Sequence, residues 1–219
     1  MPQYKTLPRD FFLPSARIVA PRLLGHWLIR QTPDGPCGGI IVETEAYLVG
    51  DAACHGAPGP TDRKRIMFGE PGHAYVYFIY GCHYCFNVVC QPAGIAEAIL
   101  VRAIEPTVGE DLMRSKRRTH HERSLTDGPG KICAAMDISR ALDGADLCDS
   151  AAPVLIAENP ARAAFRRKSG PLVTTTRIGL TQAADLPLRF YLNGSSFVSR
   201  KLRRALNTVP GAPSNSGDD

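Results

Sequence analysis

Ile41-Val42-Glu43-Thr44-Glu45-Ala46-Tyr47 sets two carboxylates into a run that otherwise suits a buried strand. Its β-branched residues favour extended backbone, and the period of two puts Ile41, Glu43 and Glu45 on one strand face. The run is flanked upstream by Pro33-Asp34-Gly35-Pro36, a turn signature, and before that by a second strand pattern over His26 to Gln31. Gly38 to Glu45 is therefore the returning strand of an antiparallel pair. A carboxylate among apolar and aromatic neighbours is poorly solvated and needs a reason to be there. One reason is chemical, since a positioned carboxylate is a natural base for activating water. Spaced by two, the Cα atoms of Glu43 and Glu45 should lie about 6 to 7 Å apart. The alternative is a surface pair that only improves solubility.

Some thirty residues on comes Tyr75-Val76-Tyr77-Phe78-Ile79-Tyr80-Gly81-Cys82-His83-Tyr84-Cys85-Phe86-Asn87. Ala74 to Tyr80 and Tyr84 to Cys90 form two strand-like runs around a tight connection at Gly81, which is a hairpin. Strand packing accounts for some of the tyrosines. Parity puts Tyr75 and Tyr77 on one face and Tyr80 on the other, near the hairpin tip. An exposed aromatic there must be covered by something else, and a nucleic-acid duplex is one candidate. Stacking worth about 1 to 3 kcal/mol per base could offset the few kcal/mol needed to unstack one nucleotide. Cys82-His83-Tyr84-Cys85 has C-x-x-C spacing, but no second pair accompanies it, so packing around the turn is the preferred reading and no metal is expected. Asn87 and Arg102 are polar residues inside strand patterns, and Arg102 facing a carboxylate is the simplest satisfied arrangement.

The whole chain bounds these readings. Its 219 residues are 44% hydrophobic, enough for one substantial domain. The net charge is +5, and the basic residues cluster at Arg63-Lys64-Arg65, at Arg114 with Lys116-Arg117-Arg118 and Arg123, at Arg166-Arg167-Lys168, and at Arg200-Lys201 with Arg203-Arg204. Each cluster alone reads as a solvated face, whereas four together favour a polyanionic partner. Seven cysteines in a chain this long argue for reduced thiols and an intracellular setting. No run approaches the roughly 20 apolar residues of a membrane span, so a soluble protein is expected.

Further elements follow from local pattern. Ser15 to Leu24 is a short helix closed by Gly25, with Pro21 arguing for a kink or break. Leu48 to Asp62, containing His55, reads as a loop. Ala96 to Ile104 is a strand, helical spacing begins at Pro106, and a second helix starts near Gly130 and turns Ile132, Ala135 and Met136 inward. Pro153 to Ala157, Leu172 to Leu180 and Leu188 to Leu192 read as strands. A domain over residues 1–209 with a disordered tail over 210–219 is expected.

Val42-Glu43-Thr44-Glu45-Ala46-Tyr47, His55, Met67-Phe68, Pro71-Gly72, Tyr75 to Gly81, Asn87 and Arg102 together closely resemble the alkyladenine (3-methylpurine) DNA glycosylase family. Asp127-Gly128-Pro129-Gly130-Lys131, Arg177-Ile178-Gly179 and Pro187-Leu188-Arg189-Phe190-Tyr191 continue the match, which runs in order from Phe11 to about Arg200. The resemblance implies an α+β domain with a curved, largely antiparallel sheet, flanking helices and a protruding hairpin that inserts into DNA. It implies a monofunctional base-excision-repair enzyme, acting as a monomer without cofactor on double-stranded DNA. Such an enzyme flips 3-methyladenine, 7-methylguanine, hypoxanthine or ethenoadenine out of the duplex and hydrolyses the N-glycosidic bond, leaving an abasic site.

Carried over by motif, Glu45 would activate the attacking water, with Arg102 and the backbone carbonyl of Ile178 helping to hold it. Tyr47, His55 and Tyr77 would sandwich the base, Asn87 would meet a guanine amino group, and Tyr80 would fill the vacated stack. Physical chemistry agrees at two points. Tyrosine faces attract electron-poor alkylated purines by about 0.5 to 2 kcal/mol, and a carboxylate stabilises a positive sugar in the transition state. No lysine lies in the acidic motif, so no Schiff-base step is expected. Departures from the family are Cys82 after the wedge turn, a Tyr47 to His55 spacing shorter by one than in the mammalian enzymes, and the missing mammalian N-terminal extension. The short form suits a bacterial member, cytoplasmic and nucleoid-associated, while a eukaryotic one would be nuclear. Two other readings stay open, a carbohydrate glycosidase using Glu43 and Glu45 and a non-catalytic nucleic-acid-binding module.

Overall fold

The acidic strand runs on both sides of its motif, from Gly35 to Tyr47 (β2), because the sheet forks around it. Its first half, Gly35 to Ile40, pairs with Trp27–Thr32 (β1), while Glu43, Thr44 and Glu45 pair on that same edge with Arg189–Leu192 (β8). The opposite edge pairs along its length with Glu97–Val108 (β5). A register shift between Ile41 and Glu43 marks a β-bulge where the strand changes partner, and a bulge re-aims the side chains around it. This corrects the expected parity. Ile41 joins the main core cluster, Val42 packs with Ala103 and Phe197, and only Glu43 and Glu45 share the face of Arg102. Close approach of neighbouring backbones explains Gly38, since a Cβ there would lie 2.1 Å from the Leu28 carbonyl oxygen.

The computed structural model describes residues 4–117, 119, 121 and 123–201. Arg118, Arg203, Arg204 and the expected tail over 210–219 lie outside the described residues. Among those described, the strands form one 8-stranded sheet in the order β3-β4-β5-β2-β1-β6, with Ala74–Ile79 as β3, His83–Cys90 as β4 and Val154–Ala157 as β6. Leu172–Thr175 (β7) pairs with β8 off this path. Every pairing is antiparallel, and the sheet is curled into a half-barrel, so the fold is α+β as expected.

One face of the sheet is covered by Ala16–Leu23 (α1) and Pro129–Ala135 (α3), whose Val19, Leu23 and Ile132 meet Phe86, Ile99 and Ile104 in the main core. Ser15 caps α1 by accepting the Arg17 amide. Pro21 lies inside an unbroken α1, so of the expected kink or break the break does not occur, because an eight-residue helix loses only one interior hydrogen bond to it while its apolar face stays packed. Helical structure begins at Glu110–Lys116 (α2) rather than at Pro106, since Pro106 to Val108 are still paired as β5. The strand expected to reach Leu180 ends at Thr175, where the chain turns toward the acidic motif. Arg162–Lys168 (α4) has no buried residue, which is why apolar periodicity did not reveal it.

The hairpin is β3 and β4, paired from Ala74↔Val88 to Ile79↔His83. The Cys82 amide donates to the Ile79 carbonyl, and Tyr80 and Gly81 both have positive φ, 54° and 67°. The connection between the paired Ile79 and His83 is three residues long, Tyr80 to Cys82, and positive φ normally disfavours a side chain as large as tyrosine.

Candidate active site

A cavity of about 290 Å³ opens between the hairpin, β5 and the segment after β7, lined by Tyr47, His55, Tyr75, Tyr77, Tyr80, Asn87, Arg102, Pro129 and Ile178 among others. That is the lower end of the range for small-ligand pockets. The sequence-derived candidates thus converge on one concavity. Parity failed for Tyr80: its left-handed φ swings it to the cavity rim with Tyr77, where it is 79% exposed.

Glu45 lies behind this wall, wholly buried. Its Oε2 accepts the Tyr47 hydroxyl at 3.0 Å and Arg102 Nη1 at 3.1 Å, and its Oε1 accepts the Ile178 amide at 2.8 Å. All three donors line the cavity. The backbone N–H of Ile178 is thus one of the groups that fix the Glu45 carboxylate. A carboxylate has about four lone-pair sites, so three bonds leave room for one more donor, on the Oε1 side beside Ile178. Burial and the adjoining Glu45 charge and hydrogen bond drive the Tyr47 hydroxyl far above its ordinary value, so it stays a donor.

Glu43, equally buried, has no such room. Its Oε1 accepts Arg189 Nε at 2.7 Å, Ser199 Oγ at 2.9 Å and Arg102 Nε at 3.1 Å, and its Oε2 accepts the Ser199 amide at 2.7 Å. Arg102 therefore bridges the two carboxylates, as its place inside a strand suggested. Burial alone would lower the Arg102 guanidinium, but Glu45 and Glu43 outweigh it and raise it. Two carboxylates and two guanidiniums form one compensated buried network.

The aromatic walls are asymmetric. His55 and Tyr77 lie 4.3 Å apart at 57°, too close for a third ring, and Tyr75 lies 5.5 Å from Tyr77. His55 Nδ1 is 3.1 Å from the Tyr75 hydroxyl, and burial, then Arg63 and Lys64, lower the imidazole so that it is neutral at pH 7. The Arg63-Lys64-Arg65 cluster, on a 3-10 turn over Asp62–Phe68, thus stands beside the cavity. Tyr47 forms the separate wall. Arg177 lies over its ring at 4.6 Å, fully buried and outside the cavity lining, so the guanidinium covers the far face. Arg177 also pairs with Asp51 and donates to the Ala46 and Ala183 carbonyls, tying the end of β2 to the loop that carries His55. Asn87 Nδ2 donates to the Tyr75 and Cys85 carbonyls at 3.0 and 3.4 Å.

Cys82 is exposed on the turn while Cys85 is buried beside Tyr77, so the C-x-x-C spacing does not bring the two thiols to one site. Among the described residues no group of three or more His, Cys, Asp or Glu side chains could hold a metal ion, and no helix is long and apolar enough to cross a membrane. Sequence reading did not assign roles to Arg177, Asp51, Arg189 or Ser199. The available signal was an arginine within an apolar strand pattern at Leu188-Arg189-Phe190, which demands a buried partner.

Comparison with known proteins identifies the family. Residues 10–196 match the family described as Methylpurine-DNA glycosylase. Relatives named "Putative 3-methyladenine DNA glycosylase" include one from Methanoculleus marisnigri, 48% identical over 90% of this chain and 100% of its own length. One from Carboxydothermus hydrogenoformans is 44% identical over 89% and 99%, and one from Nitrobacter winogradskyi is 46% identical over 92% and 90%. The chain belongs to the methylpurine-DNA glycosylase family.

Proposed function

We propose that the protein is a base-excision-repair hydrolase that releases 3-methyladenine and related damaged purines from double-stranded DNA. The observation that carries this reading is the buried Glu45, held by three donors that all face a cavity of single-base scale. A flipped purine would enter with Tyr47 on one side and the His55–Tyr77 wall on the other. Tyr80, exposed at the tip of the hairpin and held at positive φ, would occupy the space the nucleotide leaves. Asn87 would border the purine edge, where an added amino group meets a side chain already fixed by two hydrogen bonds.

In the chemical step the C1′–N bond breaks, the base departs with the bonding electrons, and positive charge develops on the sugar. Glu45 would stabilise that charge and accept a proton from the water that adds to C1′. The remaining acceptor site on Oε1, beside Ile178, is the place for that water. Arg102 and the Ile178 amide keep the carboxylate from rotating away. Supporting stacking from Tyr47 suits both cationic alkylated bases and neutral ones such as hypoxanthine and ethenoadenine.

A carbohydrate glycosidase needs a second working carboxylate, and Glu43 is saturated by Arg102, Arg189 and Ser199, which disfavours that alternative. Release of free base from duplexes carrying 3-methyladenine, hypoxanthine or ethenoadenine tests the proposal. Binding that weakens steeply with salt, without base release, would instead select a binding module.

A further inference from the structure

We infer that Ser199 is a positioning residue for the catalytic centre, acting through Glu43 and Arg102. It lies beyond residue 196, where the family match ends. The inference rests on the reading of Glu45 as the water-activating group.

The segment that carries Ser199 is anchored on both sides. Phe197 and Val198 are buried, and Ser195 Oγ donates to Glu105 Oε2 at 3.1 Å while accepting the Phe197 amide at 3.3 Å. On the far side, Arg189 Nη2 donates to the Arg200 carbonyl. Between these anchors Ser199 places two donors on one carboxylate, its amide on Oε2 and its hydroxyl on Oε1 of Glu43. Both donors act on an ionised acceptor, which makes them the stronger class of hydrogen bond.

The geometry gives these contacts a consequence at Glu45. Glu43 Oε1 receives Arg102 Nε, and the same planar guanidinium presents Nη1 to Glu45 Oε2. A guanidinium is rigid, so the angle at which Nε meets Glu43 sets where Nη1 meets Glu45. Arg189 Nε also reaches Glu43 Oε1, at 2.7 Å, but Ser199 donates to both oxygens, so it sets the rotation of the Glu43 carboxylate and hence the tilt of the whole fork. A Glu43 freed to rotate would let Arg102 draw away from Glu45, and the carboxylate would lose one of the three donors that aim it. The contact also runs from the last described turn of the chain to the centre of the sheet, a sequence separation of 156.

The test compares the full-length protein with its Ser199→Ala and Ser199→Thr variants, reading single-turnover release of hypoxanthine, affinity for abasic-site duplex, and thermal midpoint. Loss of the hydroxyl in Ser199→Ala should slow base release by about three- to tenfold while leaving abasic-site affinity within about twofold. Ser199→Thr, which keeps the hydroxyl, should restore most of the rate. A wild-type rate in Ser199→Ala overturns the inference. So does a loss of rate that Ser199→Thr fails to restore, or one matched by equal losses of affinity and thermal midpoint, since those mark a merely structural contact. Glu45→Gln run in parallel separates the two levels: if it keeps full activity the reading of the catalytic centre fails, and if it is inactive while Ser199→Ala is unaffected only the present inference fails.

Discussion

Replacing Arg177 by methionine tests how the cavity wall is held. The guanidinium is fully buried, pairs with Asp51 whose side chain is 2% exposed, and donates to the Ala46 and Ala183 carbonyls. Across the 3.0 Å contact from Nη2 to Asp51 Oδ1, an effective dielectric near 20 gives about 5 kcal/mol of attraction. Dehydration of both ions offsets much of that, so the net worth of the pair is small, but removing one partner strands the other. Methionine would leave Asp51 with the Ala53 amide at 3.0 Å and no cation, at a cost of about 3 to 5 kcal/mol. That is a large share of the roughly 5 to 15 kcal/mol that holds a domain folded. The double change Asp51→Leu with Arg177→Met removes the stranded charge and should recover about 2 kcal/mol relative to the sum of the single changes. Urea unfolding followed by circular dichroism measures all three. A cost below about 1 kcal/mol for Arg177→Met, or strict additivity in the double variant, would refute the account of this wall.

Other perturbations have distinct signatures. Tyr47→Phe removes the hydroxyl that Glu45 accepts, and a hydrogen bond to a charged group is worth about 1.5 to 3 kcal/mol, so single-turnover release should fall at least about tenfold with stacking affinity largely kept. Tyr80→Ala changes a side chain that is 79% exposed, so unfolding free energy should move by less than about 0.5 kcal/mol, whereas stopped-flow fluorescence of an ethenoadenine duplex should show weaker flipping. His26 is held down to about 4, by burial and then by Arg162, below its ordinary 6.5. Its contribution to stability is therefore complete above about pH 6.5 and is lost as pH falls toward 4, where the unfolded chain takes up a proton that the folded one refuses. His26→Phe should flatten the urea midpoint between pH 7 and pH 4.5.

What could be read in advance had local causes. The strand pair around Glu45 and the hairpin around Gly81 follow from alternation and turn chemistry, and Arg102 opposite a carboxylate follows from the cost of burying either alone. Ordered motifs brought Tyr47, His55, Tyr77, Asn87 and Ile178 to one cavity, as the resemblance implied. Four features were not legible. The bulge at Val42 shifts the parity of Ile41 by one residue, and no periodicity encodes it. Tyr80 faces the cavity because of its backbone conformation, which alternation along a strand cannot supply. Arg177, Arg189 and Ser199 act across separations of 126 to 156 residues, and such contacts exist only once the sheet has closed. The amide of Ile178 was invisible for a related reason, because a main-chain donor leaves no mark on residue type.

On the proposed mechanism Glu45, aimed by Tyr47, Arg102 and Ile178, activates the water that displaces a damaged purine. The most direct measurement is release of free hypoxanthine from a labelled duplex by Glu45→Gln under single-turnover conditions, with abasic-site binding measured on the same preparation. Release should fall by more than about a hundredfold with binding retained. Wild-type release by a folded, DNA-binding Glu45→Gln protein would contradict that mechanism.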